Sequence, residues 1–205
     1  MAHNWHLTTL SNEAEVIQTL TQLRGKRWLS RGQSKRYDCL VPSIDREPRD
    51  RLSRFEKLSL ERQAISIFRS TARFFTHQGE TAALDHAQDN IALMVLRHYG
   101  VPTRLLDWSG SPHVAAYFAA CSHDGEDGEI WTFDEPLYEQ KGREQWVRWP
   151  ETLDEHGQFK AELTEFTLEE PPDWIVCSFY YSSFPRQHAQ EGAYTLTARF
   201  GRDHA

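Results

Sequence analysis

The sequence predicts an α+β fold, with helices in the N-terminal half packed on a mixed or mostly antiparallel sheet. Three observations carry this expectation. Capped, helix-period apolar patterns crowd residues 11–121, strand-like alternation crowds residues 128–200, and one strand-like segment stands early, at Trp28–Gln33. The chain has 205 residues, 39% of them hydrophobic and 12% aromatic, so it can bury a real core and reads as one domain over 1–205.

Asn12, with Glu15 three residues on, caps a helix over 11–23 whose apolar stripe is Val16, Ile17, Leu20 and Leu23. Ser53 and Glu56 form a capping box for a helix running to about Phe75, with Phe55, Leu58, Ile65, Phe68, Ala72 and Phe75 on its apolar face. A third helix, over 87–98, turns Ile91, Met94 and Val95 inward. It stops at Tyr99-Gly100-Val101-Pro102, where Gly100 takes a left-handed cap and Pro102 cannot continue the helix. Thr103–Trp108 reads as a buried strand or tight loop. Ser111-Pro112 opens a fourth helix to Cys121, and its alanines 115, 116, 119 and 120 let it lie very close to a neighbour. Strands are expected at 128–134, 174–181 and 193–200, the last with Tyr194, Leu196, Ala198 and Phe200 on one face and Thr195 and Thr197 on the other. Residues 135–173 form a polar excursion, and His204 and Ala205 are expected to fray.

The net charge of −7 argues against a protein that simply coats nucleic acid. The charges are uneven, however. Residues 24–73 are rich in Arg and Lys, and 122–173 are mostly acidic, which gives either solvated, mutually paired faces or a phosphate-attracting side on an acidic body. Three cysteines without a Cys-x-x-Cys pair, and no signal peptide, suggest reduced thiols in a cytoplasm, with Cys121 and Cys177 as core filler. No apolar run approaches the roughly 20 residues of a membrane span, so no membrane partner is expected. Phosphate-loop, dinucleotide-fingerprint, zinc-protease and nucleophile-elbow motifs do not occur. The ten histidines show no zinc spacing. Asp45, Asp107 and Glu191 offer carboxylates of the kind a divalent-metal nuclease uses, but nothing in their spacing demands it, and no metal is expected.

Three stretches concentrate polar chemistry in an apolar frame. In the first, Arg31 offers fixed donors that match a phosphate or carboxylate, Gly32 permits close approach, and Gln33 adds a neutral donor and acceptor. Arg31 reads equally as pairing with Asp107 or Glu61 to hold the fold. The second stretch runs from His98 to Ser109. His98, at a helix C-terminus, is either a proton carrier or a cap. Thr103 and Ser109 suit ribose hydroxyls or phosphate, Arg104 and Asp107 are natural counter-charges to neighbouring groups, and Trp108 is core or stacking surface. In the third, Gln190 and Glu191 stand before the last strand, where Gly192 lets the chain turn. A carboxylate there either polarises a sugar hydroxyl or is an ordinary loop group.

These stretches resemble the FRG family of bacterial and phage-encoded domains, named for a Phe-Arg-Gly motif. The resemblance lies in Leu29-Ser30-Arg31-Gly32-Gln33-Ser34 with Tyr37, Leu40, Pro42-Ser43 and Arg46. It continues in Arg97-His98-Tyr99-Gly100-Val101-Pro102-Thr103-Arg104-Leu105-Leu106-Asp107-Trp108-Ser109 with Ser111-Pro112, Ala115-Ala116 and Tyr117-Phe118-Ala119, and in Arg186 with Gln190-Glu191-Gly192. Ser30 departs from the family's usual Phe, and Glu191 stands where the family commonly has a second Gln. The resemblance implies a toxin–antitoxin or phage-defence setting in a bacterial cytoplasm, with an antitoxin or immunity partner. It also implies a layout similar to the ADP-ribosyltransferase-like fold.

On that analogy the substrate is NAD, consumed by ADP-ribosyl transfer to a protein or nucleic-acid acceptor, or by hydrolysis. Arg31, with Gly32 and Gln33, grips phosphate or ribose. Tyr99, Trp108 or Ser109 lines the nicotinamide side, with Thr103, Arg104 and Asp107 as further binding residues. Glu191 or Gln190 orients the ribose hydroxyl, and His98 carries a proton. Two other readings of the sequence stay open: a nucleic-acid-targeting toxin or nuclease, and a non-catalytic module that binds a nucleotide or a partner.

Overall fold

A computed structural model describes residues 5–37, 39–71, 74, 89–121, 125–146, 175–179, 188–197 and 199–204. It is an α+β architecture. Its elements are α1 (Glu13–Leu23), β1 (Trp28–Gln33), α2 (Arg54–Thr71), α3 (Asp89–His98), β2 (Leu105–Ser109), α4 (Pro112–Ala120), β3 (Glu129–Asp134), α5 (Glu135–Trp146), β4 (Ile175–Phe179) and β5 (Gly192–Thr197). Two short 3-10 turns, Ser43–Asp45 and Arg49–Arg51, join β1 to α2. The expected ends of the second helix at Phe75 and the rest of the polar excursion beyond Trp146 lie outside the described residues. The part of that excursion that is described, Glu135–Trp146, is helical.

Helix starts follow their capping chemistry. Asn12 Oδ1 accepts from Glu15 N at 3.0 Å while Glu15 Oε2 accepts from Ser11 N at 2.7 Å. At α2 the Ser53–Glu56 box closes reciprocally. Gly100 ends α3 at φ +83, a left-handed position that suits glycine.

The inward faces differ from the periodicity in an instructive way. Leu58 and Ile65 of α2 are buried as expected, but Phe55 is exposed, and Lys57 and Glu61 are buried. Each of those charges has an enclosed partner. Lys57 Nζ donates to Asp45 Oδ1 at 2.7 Å, and Glu61 accepts from Arg104 N at 2.9 Å and from Arg104 Nε at 2.7 Å. Similarly, Leu20 is the buried residue of the α1 stripe, whereas Ile17 faces solvent.

Among the described residues the strands form one sheet in the order β3-β1-β2-β5-β4, and every ladder is antiparallel. One face carries Leu105, Tyr194 and Leu196 against α2 and α3, with Leu93 and Met94 in the same cluster. The other carries Leu29, Leu106, Trp108 and Ala193 against Leu40, Trp131 and Phe133. Both faces of β5 are therefore covered, which is why Thr195 and Thr197 are as buried as Tyr194 and Leu196.

The ladders are unequal. β1 follows β3 for six residue pairs and β2 follows β5 for five, but β1 meets β2 only at Ser30–Ser109. Beyond that pair a seam opens in the sheet. Helix α4 lies over β1 beside it, so close that a Cβ on Gly32 would fall 1.8 Å from the Ala115 carbonyl oxygen. The small residues of α4 allow this approach, as their sequence pattern suggested.

Two peripheral expectations are corrected. Cys121 is exposed, because it lies past the last turn of α4; the side chain of Cys177 lies outside the described residues. His204 does not fray. Its N–H donates to Leu40 O at 3.0 Å, Asp203 Oδ1 accepts from Leu40 N at 2.8 Å, and its Nδ1 lies 2.7 Å from Thr195 Oγ1.

Burial, with the charges of Arg31 and Arg202 adding, pushes the His204 imidazole down to about 3. Unfolded histidine titrates near 6.5, so between these values the unfolded chain binds the extra proton. The His204 contribution is full above pH 6.5 and is lost as pH falls through that window. We expect stability to drop by about 2 kcal/mol between pH 7 and pH 5 from this group. Thermal melts of wild type and His204→Gln at both values check it: equal pH slopes in the two proteins contradict the assignment.

Candidate functional site

A cavity of about 350 Å3 sits at the seam. Its base comes from β1 and β2, its roof from α4 and the end of α3, and one wall from the turn into β5. Of the residues singled out in the sequence, Arg31, Gly32, His98, Asp107, Trp108, Ser109 and Gln190 line it. Three segments distant in sequence thus converge, but the carboxylate that shares the concavity with the Arg31 guanidinium is Asp107, not Glu191.

Arg31 is the centre of the arrangement. Its side chain is 13% exposed, and its Nη1 donates to the backbone carbonyl of Asp107 at 2.8 Å. That carbonyl lies where the β1–β2 ladder has ceased, so the guanidinium bridges the seam. The Arg31 Nε is buried without a hydrogen-bond partner among the described residues, and so is Oγ of Ser30, the neighbouring strand residue that also lines the cavity.

Burial lowers Arg31 to about 10, with Arg46 and Arg97 adding to the shift and Asp107 opposing it. The group still carries its charge at neutral pH. Asp107 does not neutralise it alone, because Asp107 is already held from the side by Arg97. Arg97 Nε lies 3.0 Å from both carboxylate oxygens and Arg97 Nη2 lies 2.6 Å from Oδ2, whereas Arg31 Nη1 stands 3.7 Å away. Burial works against the Arg97 charge, but this two-pronged contact outweighs it and the net shift is upward. Arg97 Nη1 also donates to Ser43 Oγ at 2.9 Å. Across the β2–β5 register Tyr194 faces Asp107. Burial, and then the Asp107 charge, pushes its phenol up to about 12, so it stays protonated.

The β5 entry is built around Glu191, which adopts φ +47, a left-handed conformation uncommon outside glycine. Glu191 O accepts from Gly110 N at 2.9 Å, and a Cβ on Gly110 would lie 3.2 Å from Glu191 Oε2. Ser109 Oγ donates to Gln190 O at 2.6 Å and accepts from Ser111 N at 3.0 Å, which fixes the turn to the start of α4. Gln190 consequently lines the cavity, while Glu191 is exposed beside it over Gly110 and does not line it.

Other expected residues lie elsewhere. Thr103 and Arg104 are wholly enclosed, Thr103 against Ser43 and Arg104 against Glu61, with the Arg104 guanidinium 4.1 Å from the Phe200 ring centre. Gln33 donates to Glu129 Oε1 at 3.0 Å, on the β1–β3 side. Tyr99 is exposed and meets the His98 ring edge-on. The closeness that Gly32 permits is taken by the backbone of α4. Trp108 is both core and cavity wall, and its Nε1 donates to Thr195 Oγ1 at 2.9 Å.

Sequence reasoning missed Ser30, Arg97, Phe118 and Tyr194. Arg97 had a signal, a basic residue in the last helical turn ten positions before an acid; Asp107, expected with Arg31 on one reading, meets both arginines and Arg97 more closely. As for metals, Asp45 is spent on Lys57 and Asp107 on Arg97. Among the described residues no group of three or more His, Cys, Asp and Glu side chains is placed to hold an ion. No helix among them is long and apolar enough to cross a membrane.

A family model described as the FRG domain matches residues 26–128, half of the chain. The match spans β1 to the end of α4, and so most of the cavity wall. No curated protein and no solved structure matches the chain.

Proposed function

The chain belongs to the FRG domain family, and from that premise we propose that its seam cavity binds a phosphate-bearing nucleotide and acts on NAD, as an ADP-ribosyltransferase or an NAD glycohydrolase. One observation carries the reading: Ser30 and Arg31 both line the cavity, each keeps a buried polar side-chain atom without a hydrogen-bond partner among the described residues, and the nearest acid does not neutralise the Arg31 guanidinium. Buried polar groups demand hydrogen bonds, and an anionic oxygen would supply one to the Arg31 guanidinium. Ser30 is the position at which the chain departs from the Phe of the family name, and there a hydroxyl can reach a ligand. The cavity volume lies at the small end of the roughly 300–1,000 Å3 of small-molecule sites.

In the proposed reaction Arg31 holds phosphate, so that binding energy fixes the ribose. The bond between ribose C1′ and the nicotinamide nitrogen breaks, and nicotinamide leaves with the bonding pair. An acceptor or water oxygen bonds to C1′ and gives up its proton to His98. Gln190 on the wall, or Glu191 beside it, would orient a sugar hydroxyl and stabilise developing positive charge.

Incubation of the protein with NAD should release nicotinamide. Arg31→Ala should weaken ADP-ribose binding about 10- to 100-fold, the range for a lost charged hydrogen bond. Glu191→Gln should lower kcat more than it raises KM. Intact NAD at high protein concentration, across several candidate acceptors, would refute turnover.

A further inference from the structure

Next to the cavity the chain between β1 and α2 presents a second set of groups suited to a nucleotide. Glu129 Oε1 accepts from Tyr37 N at 2.9 Å as well as from Gln33, which pins this loop to the β1–β3 edge. Tyr37 is 43% exposed, and Lys35 Nζ stands 5.4 Å from its ring centre. Arg46 is anchored through Nε to Val41 O at 2.9 Å, and its two terminal nitrogens make no hydrogen bond among the described residues. Arg46 lies within electrostatic reach of Arg31, Arg97 and Asp107, which line the cavity, and also of Tyr37. None of the three lines the cavity, but Arg97, which does, donates to Ser43 Oγ at 2.9 Å three residues before Arg46, so this loop borders the cavity and offers two cations and one aromatic face.

We propose that Arg46 and Tyr37 form an outer subsite for the second half of a dinucleotide, Arg46 taking its phosphate and Tyr37 stacking its base. The inference rests on the cavity being the nucleotide site and deepens it. A cavity of about 350 Å3 suits one nucleotide half, and the remaining half must lie outside it. An anchored guanidinium with two free nitrogens matches a phosphate, and an exposed ring backed by a lysine offers a face to a planar base. A ledge of three residues on a chain of net charge −7 fits a small ligand better than a nucleic-acid strand.

Isothermal titration of the full chain and of Arg46→Ala, Tyr37→Ala and Tyr37→Phe tests this, with ADP-ribose and nicotinamide mononucleotide as the two probes. Both alanine variants should bind ADP-ribose about tenfold more weakly, while Tyr37→Phe binds it nearly as well as wild type. Mononucleotide affinity should stay within about twofold in all three, as the cavity alone holds that probe. All positions are exposed, so unchanged melting temperatures are expected. Equal losses for both probes, or no loss for either, overturn the subsite. So does absence of ADP-ribose binding by wild type, or an oligonucleotide that binds more tightly through the same residues. Nicotinamide release from NAD with KM unaltered in the variants removes the ledge and leaves the NAD reading standing. Selective loss of ADP-ribose binding without any nicotinamide release does the reverse.

Discussion

Gly32→Ala is expected to lower the melting temperature by about 6–12 °C, following a loss of about 3 kcal/mol at the upper end for overpacking. The added methyl group would meet the Ala115 carbonyl oxygen at 1.8 Å and the Ala119 nitrogen at 2.7 Å. These are main-chain atoms of α4, so no rotamer change relieves the clash. The helix must lift from β1, and the cavity that it roofs must widen with it. Stability and ligand affinity should therefore fall together. A wild-type melting temperature for Gly32→Ala, measured by calorimetry, would show that α4 does not pack there. Gly128, whose added Cβ would meet Ala119 O at 2.3 Å, offers an independent check on the same helix.

Glu61→Ala should cost about 3–5 kcal/mol, the typical loss when one partner of an enclosed ion pair is removed. Glu61 meets Arg104 three times, at the backbone N–H, Nε and Nη2, the last at 2.6 Å, and both side chains are essentially without solvent exposure. Deleting the acid leaves a buried guanidinium without its counter-charge and a buried N–H without its acceptor. Glu61→Gln keeps an acceptor for the N–H and should lose less. Urea unfolding of the two variants separates charge from hydrogen bonding: equal midpoints would mean that the charge contributes nothing.

Local structure was largely legible in the sequence. The span Trp28–Gln33 is the strand as expected, Gly100 ends its helix in the left-handed conformation, and the alanines of α4 lie against glycine. These features depend on residues within a few positions of one another. Partnerships across the chain were not legible in the same way. Lys57 and Glu61 do not belong to the expected apolar face of their helix, and the partners that let them be buried there, Asp45 and Arg104, lie outside that helix. Of the two acids considered for Arg31, Glu61 goes to Arg104, while Asp107 does meet it. The end of α3 delivers Arg97 to that carboxylate first.

The candidate site follows the same rule. Convergence of the three motifs was anticipated from their chemistry, while the division of the last motif was not. Whether Gln190 or Glu191 enters the cavity is decided by the positive φ at 191 and by the Ser109 hydroxyl holding the carbonyl of 190.

The single Ser30–Ser109 pair gives the sheet two plates, β3-β1 and β2-β5-β4, tacked together at one point and braced by one arginine. An anion that draws Arg31 away from the Asp107 carbonyl loosens that brace at the moment it fills the gap. The Arg31 guanidinium is thus a joint of the sheet as well as a wall of the cavity, and a change at this position bears on both at once.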